Sequence, residues 1–229
     1  MAVAEITPDT CERIIIVGAG GFGREVLQWA RHAWPDDARK IAGFLSEDPH
    51  VLDGHRPTLP ILGPPDSFEP RPTDGLVLAI GIRGVRRQVA ERLAARGARF
   101  LSLVHPSAIV VDTAVVGPGT VICPYAVVSD GVRLGRFVLV NYHASLGHDA
   151  SAGDFTILSP YATLGGHAVV GADAFLAIHV TVGPNVTLGD HTTVSANSCA
   201  LADAAAGSIV FGVPGRVAPH VMAAKSTSR

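Results

Sequence analysis

The stretch VICPYAVVSDGVRLGRFVLVNYHASLGHDASAGDFTIL, residues 121–158, decides the fold. An aliphatic residue recurs at every sixth position: Ile122, Val128, Leu134, Val140, Leu146, Ala152 and Leu158. Followed outward, the register runs from Val104 to Val194 without a slip, and only Ala152 is not Val, Ile or Leu. Four residues after each of these lies a small or β-branched residue, such as Ala108, Ala126, Val138, Ala144 and Ser198. Glycine often follows the aliphatic residue directly, as at Gly135, Gly147, Gly153 and Gly165. A six-residue period is the mark of a parallel β-helix. Each hexad supplies one short strand and one corner, and three hexads close a triangular coil. Coils then stack about 4.8 Å apart through backbone hydrogen bonds. The aliphatic residue fills the prism, the small residue fits beside it, and glycine is expected to serve the corner conformation. The sixteen registered hexads make roughly five coils.

The first half has a different texture. RIIIV (13–17) reads as a buried parallel strand, GAGGFG (18–23) as a glycine turn, and REVLQWARHAW (24–34) as a helix. KIAGFL (40–45) and LVLAI (76–80) read as further strands, with mostly loop over 46–75. RRQVAERLAARG (86–97) reads as a second helix closed by a C-cap glycine, and RFLSL (99–103) as a last strand. The expected architecture is a Rossmann-like α/β domain over 1–103 followed by an all-β parallel β-helix domain with a C-terminal tail over 104–229.

Composition narrows the function. The chain has 229 residues, 17% charged and 48% hydrophobic, with a formal net charge of −2. That is the composition of a folded chain, and without a basic block it favours neither nucleic acid nor an anionic membrane surface as partner. MAVAEITPDTCER lacks the basic and apolar regions of a signal peptide, and no apolar run reaches the length of a membrane span. Cys11, Cys123 and Cys199 are scattered and odd in number, which fits free thiols in a reducing cytoplasm.

Side chains at β-helix corners point outward, so chemistry is expected there. His148 and Asp149 are the third and fourth residues of their hexad. A neutral imidazole suits removal of a proton from an attacking amine or hydroxyl at neutral pH. A carboxylate on its other nitrogen would fix the tautomer.

The chain resembles the PglD/NeuD-type acyltransferases of the left-handed β-helix superfamily. The likeness rests on GAGGFGREV, GFLSED (43–48), AIGIRGVRR (79–87), HPSA (105–108), NYHASLGHD (141–149), SPYATLGG (159–166) and FGVPGRVAP (211–219). The resemblance implies a homotrimer in which acetyl-CoA, as co-substrate, lies along the β-helix between subunits. It implies His148 as general base, Asp149 as its orienting acid and Gly166 as the contact to the thioester oxygen. Backbone contacts to the pantetheine arm would come from Ala177, Ile178 and Ala196. It also implies that the glycine loop binds a sugar or nucleotide-sugar acceptor, through Gly18, Gly20, Gly21, Phe22, Gly23, Glu47, Gly81 and Arg86. The acceptor half departs from the N-acetyltransferase branch. Phe22 stands where that branch has His, Ser46-Glu47 where it has Asp-Asp, and Ile82-Arg83 where it has Asn-Asn. Tyr161 replaces a common Gly near the thiol end.

The function expected is transfer of an acetyl group from acetyl-CoA to an amino or hydroxyl group of a sugar, without a covalent enzyme intermediate and without a metal. A sialic acid-type O-acetyltransferase is the near alternative. G-x-G-x-x-G alone also fits a dinucleotide cofactor. His143 and His148 share the H-x4-H spacing of γ-class carbonic anhydrases, so a metal-dependent hydratase is a rival, although a catalytic zinc usually has three protein ligands. The last rival is a non-catalytic nucleotide-binding solenoid.

Overall fold

A computed structural model describes residues 6–56 and 59–219. The first five residues of MAVAEITPDTCER and the 220–229 end of the tail lie outside the described residues.

The N-terminal sheet has five parallel strands, β1 (Arg13–Val17), β2 (Ile41–Leu45), β3 (Ile61–Gly63), β4 (Asp74–Leu78) and β5 (Arg99–Phe100), in the order β3-β2-β1-β4-β5. Helix α1 (Gly21–Ala33) follows β1, and α2 (Val85–Ala95) follows β4. The order reverses at β1, so the crevice between the carboxyl ends of β1 and β4 is the topological switch point, where open α/β sheets bind ligands. β1 is buried along Ile14–Val17, as its unbroken apolar run requires. Helix α2 ends in a Schellman turn. Ala98 N–H donates to Leu93 O and Gly97 N–H to Ala94 O, with Gly97 at φ +87°.

Two expectations change. The 46–75 segment contains β3, whose three residues lie between Pro60 and Pro64 and carry no alternation to reveal them. RFLSL is not one strand: Arg99–Phe100 pairs with β4, whereas Leu103–Val104 pairs with Val121–Ile122 of the β-helix.

From Leu103 onward the chain is a parallel β-solenoid. Every two-residue strand pairs with strands eighteen residues away, as Val127 with Ser145 and Ser145 with Thr163. Three faces result. The first carries Leu139–Val140 and its coil-mates, the second Ser145–Leu146, the third Ser151–Ala152. Eighteen strands from Leu103–Val104 to Ser208–Phe211, three per coil, make about six coils among the described residues. The aliphatic register forms the core, with Val128, Val140, Leu158, Leu176 and Val194 all at 0% exposure. Only the open first coil leaves Val104, Val110 and Val116 partly uncovered.

The corners hold a correction. The left-handed conformation falls not on the glycine after the aliphatic residue but two positions later, and mostly on non-glycine residues. Phe137, His143, Asp149, Phe155, Tyr161, His167, Asp173 and His179 all have φ between +53° and +62°. Each such residue costs on the order of 1–2 kcal/mol relative to the right-handed region. The neighbouring coil offsets this: its carbonyls accept the corner N–H, as Tyr161 N–H donates to Tyr142 O and His167 N–H to His148 O. The glycines answer a different need, close approach of coils. A Cβ on Gly153 would stand 2.6 Å from Ala172 N, and one on Gly165 2.5 Å from Pro184 N.

The N-terminal unit sits on the first face. Val121, Leu139 and Ile157 point outward from it and are buried with Ile14, Ile16 and Phe44. The corner opposite that face, between the second and third faces, carries His148.

Candidate active site

Two places gather the residues expected from the sequence. The first is the corner between the second and third faces. His148 Nδ1 lies 2.9 Å from Asp149 Oδ2. An ionised carboxylate only accepts, so Nδ1 carries the proton and Nε2 is the free, basic nitrogen. The hydrogen bond from His148, and then the charge of His167, hold the Asp149 carboxyl below its ordinary pKa of 3.8. Both side chains are half exposed or more.

Nε2 faces Gly166, one coil along: a Cβ there would stand 2.6 Å from it. Gly166 N–H has no hydrogen-bond partner among the described residues. At this hexad position the N–H is removed by proline at Pro124, Pro160 and Pro184 and capped at Arg136 and Ala172 by Asp154 and Asp190, while others, such as that of His148, are also unspent among the described residues; Gly166 is set apart by its place against Nε2. The corner thus sets an imidazole base beside an unspent backbone donor, the two groups that acyl transfer needs.

Sequence reasoning reads His167 only as a solvated polar residue at a corner; the structure gives it a partner. Its Nε2 lies 3.6 Å from the same Asp149 Oδ2, and its ring meets that of His148 edge-on at 5.1 Å. The signal was available: His167 stands eighteen residues after Asp149, one coil in the same column. Ligand atoms of His148, Asp149 and His167 lie within 4.8 Å of one another, so these three, and not the H-x4-H pair, have the spacing to hold a cation. His143 sits on the corner between the first and second faces, stacked between Tyr125 (5.1 Å) and Tyr161 (4.8 Å), with His179 continuing the column at 4.6 Å.

Ala177, Ile178 and Ala196 belong to that aromatic corner, one face away from His148 and Gly166. Among the described residues Ile178 and Ala196 keep unspent N–H groups; that of Ala177 is taken by Val194 O at 3.0 Å.

The second place is the switch-point crevice. Gly18, Gly20, Gly21, Phe22, Ala79, Ile80, Gly81 and Ile82 line a cleft of about 340 Å³. Its glycines differ in purpose. Gly18 has φ +109°, and a Cβ on it would stand 2.6 Å from Ala79 O. A Cβ on Gly23 would overlap Gly18 O, so these two serve packing. Gly20 and Gly21 have open space and bring the N-terminus of α1, with its unpaired N–H groups, to the cleft. Glu47 is exposed and outside the lining. Arg86 is also outside it, and this corrects its expected role as a contact: it is 1% exposed and donates to Leu78 O, Ile80 O and Phe137 O. Burial pulls its pKa down to about 10, which leaves it charged at neutral pH.

Residues 13–93 match the model of the PglD N-terminal domain. The N-terminal unit is thus similar to the PglD N-terminal domain over those residues. The match bears out the resemblance for the motifs within 13–93, and the cleft residues all lie inside that span. Two curated relatives extend the comparison. UDP-N-acetylbacillosamine N-acetyltransferase of Bacillus subtilis (strain 168) is 36% identical over 115 residues, 48% of this chain and 51% of that protein. GDP-perosamine N-acetyltransferase of Escherichia coli O157:H7 is 25% identical over 150 residues, 61% and 64% respectively. The chain thus spans about half to under two thirds of the length of these curated relatives. Among solved structures, the acetyltransferase domain of PglB from Neisseria gonorrhoeae FA1090, in complex with acetyl coenzyme A, is 28% identical. Its TM-score is 0.79, over 90% of this chain and 98% of that one. A mutant of perosamine N-acetyltransferase from Caulobacter crescentus shares the fold, with a TM-score of 0.80 at 24% identity. Among the described residues no helix is long and apolar enough to cross a membrane.

Proposed function

We propose that this protein transfers an acetyl group from acetyl-CoA to an amino group of a nucleotide-linked sugar. The observation that carries the reading is His148, with Nδ1 held by Asp149 and Nε2 free beside the unspent N–H of Gly166. In the reaction, Nε2 takes a proton from the amine as its nitrogen attacks the thioester carbonyl. The oxyanion is met by Gly166 N–H, and Asp149 stabilises the imidazolium. Collapse expels the CoA thiolate, which recovers the proton from His148. The curated relatives, named as N-acetyltransferases of nucleotide sugars, support an amino acceptor over a hydroxyl one.

On this reading residues 1–103 bind the acceptor at the cleft and residues 104–229 carry the acyl transfer, in the cytoplasm. Within one chain His148 stands at the corner opposite the face that the N-terminal unit covers. A cleft and a base that serve one ligand therefore come from neighbouring copies. This supports the homotrimer, with acetyl-CoA between the His148 corner of one copy and the Ile178–Ala196 corner of the next.

The test is free-thiol release from acetyl-CoA against UDP-, dTDP- and GDP-linked 4-amino sugars and sialic acid, with His148→Ala and His143→Ala beside the wild type. Turnover with an amino sugar that only His148→Ala abolishes supports the reading. Loss of activity in chelator would transfer the corner to a metal held by His148, Asp149 and His167.

A further inference from the structure

The segment RGVRR (83–87), where the second wall of the cleft turns into α2, sends three arginine side chains to one column of the solenoid. That column is the corner between the third and first faces, with Phe137, Phe155, Asp173 and His191 at successive coils. Arg86 donates to Phe137 O from both Nε (3.3 Å) and Nη2 (3.1 Å). Arg87 lies 4.2 Å over the Phe155 ring and donates from Nε to Asp173 Oδ1 at 3.0 Å. Arg83 donates to Thr193 Oγ1 at 2.9 Å and to the carbonyls of Asp173 and His191 at 3.4 Å. One helix start therefore engages four rungs of the same column.

The other ends of these contacts reach the cleft. Arg86 Nη1 also binds Leu78 O (3.2 Å) and Ile80 O (3.0 Å), the carbonyls on either side of Ala79, which packs on Gly18. Among the described residues the guanidinium has no carboxylate partner, and a buried cation of that kind is costly as a packing element. An apolar side chain would fill the space; only the planar fork of arginine spans three carbonyls on two separate elements. Arg83 turns away from the cleft and leaves its neighbour Ile82, 68% exposed, as the lining residue.

We propose that Arg83 and Arg86, supported by Arg87, are positioning residues that hold the 79–82 wall of the acceptor cleft in fixed register with the solenoid. The proposal rests on the acceptor reading of the cleft. The arginines touch neither substrate; they fix the wall against which the acceptor is held, so acceptor binding depends on them and acetyl-CoA binding does not.

The experiment compares Arg83→Ala, Arg86→Lys and Arg86→Met with the wild type in two ways. Hydrogen exchange followed by mass spectrometry on the protein without ligand should show lost protection confined to peptides covering 78–84. Steady-state kinetics, with the UDP- or GDP-linked 4-amino sugar that the wild type turns over, should show the acceptor KM raised about fivefold or more while the KM for acetyl-CoA changes by less than about twofold. Arg83→Ala, at a partly exposed side chain, keeps the test open should the Arg86 variants fail to fold. Unchanged protection at 78–84, or two KM values that rise together, overturns the proposal. Should the wild type turn over no acceptor, the transferase reading fails on its own, and the exchange pattern still decides whether the arginines hold the wall.

Discussion

Gly166 stands directly against the Nε2 edge of His148, so close that a Cβ on the glycine would be 2.6 Å from that nitrogen. The contact keeps an open space where the reacting carbonyl must sit. Gly166→Ala keeps the backbone N–H, but its Cβ would push the carbonyl out of line with base and donor, so acetyl transfer should fall by about a hundredfold. The melting temperature should move by only a few degrees, because the corner is exposed and Gly166 is not in the left-handed region. Thermal melts and thiol release on the same sample check both halves; an active alanine variant would count against the geometry.

Asp149 fixes the protonated nitrogen of His148, so Asp149→Asn should leave the backbone intact, since asparagine tolerates φ near +59°. It should reduce kcat by about 10²- to 10⁴-fold through the wrong tautomer. His167→Asn removes only the more distant partner and should cost less than about tenfold. An equal loss in both variants would show that His167 matters to the base as much as Asp149 does.

The Asp149 carboxyl is held below its ordinary value of 3.8, first by the hydrogen bond from His148. The sign follows: the pair is intact above the ordinary carboxylate pKa and is lost as pH falls through the lowered one. A carboxyl-carbon NMR titration should place the midpoint below 3.8, and His148→Ala should move it upward. A midpoint that stays put in the variant would mean the hydrogen bond is not the cause.

His143 is a rung of a stack, between Tyr125 and Tyr161. His143→Asn should cost about 1–3 kcal/mol of stability, two aromatic contacts of about 0.5–1.5 kcal/mol each. Acetyl transfer should survive, with or without chelator. Abolished activity would return His143 to the reaction.

Burial raises the thiol pKa values of Cys11 and Cys123, strongly for Cys123. A thiol reagent at neutral pH should leave both unmodified in the native protein and reach them only on unfolding. Rapid labelling of Cys123 would mean that the interface between the N-terminal unit and the first face opens.

The hexad register made the solenoid legible, because one aliphatic residue per six is a condition every coil must meet. The position of the left-handed residue was not legible. It is set by carbonyls of the neighbouring coil, and nothing in a single hexad marks Tyr161 or Asp149 as the residue that bends. His148 and Asp149 were readable as neighbours. The link from Asp149 to His167 asked for one more step, folding the sequence by eighteens, which the hexad register supplies but adjacency does not. Arg86 was placed in the cleft by resemblance, and the resemblance could not show that its three acceptors are backbone carbonyls behind the cleft wall.

The coil gives this chain a reading frame of its own. Asp149 and His167 stand together because eighteen residues separate them, one full circuit. Loss of six residues between them would keep every aliphatic side chain pointing inward, so the hexad pattern would look untouched. Yet Asp173 would then arrive beneath Asp149, a carboxylate against a carboxylate, while His167 moved to another corner. Length changes at this site are thus silent only in whole circuits. A hexad lost or gained acts as a frameshift that the composition of the protein does not reveal.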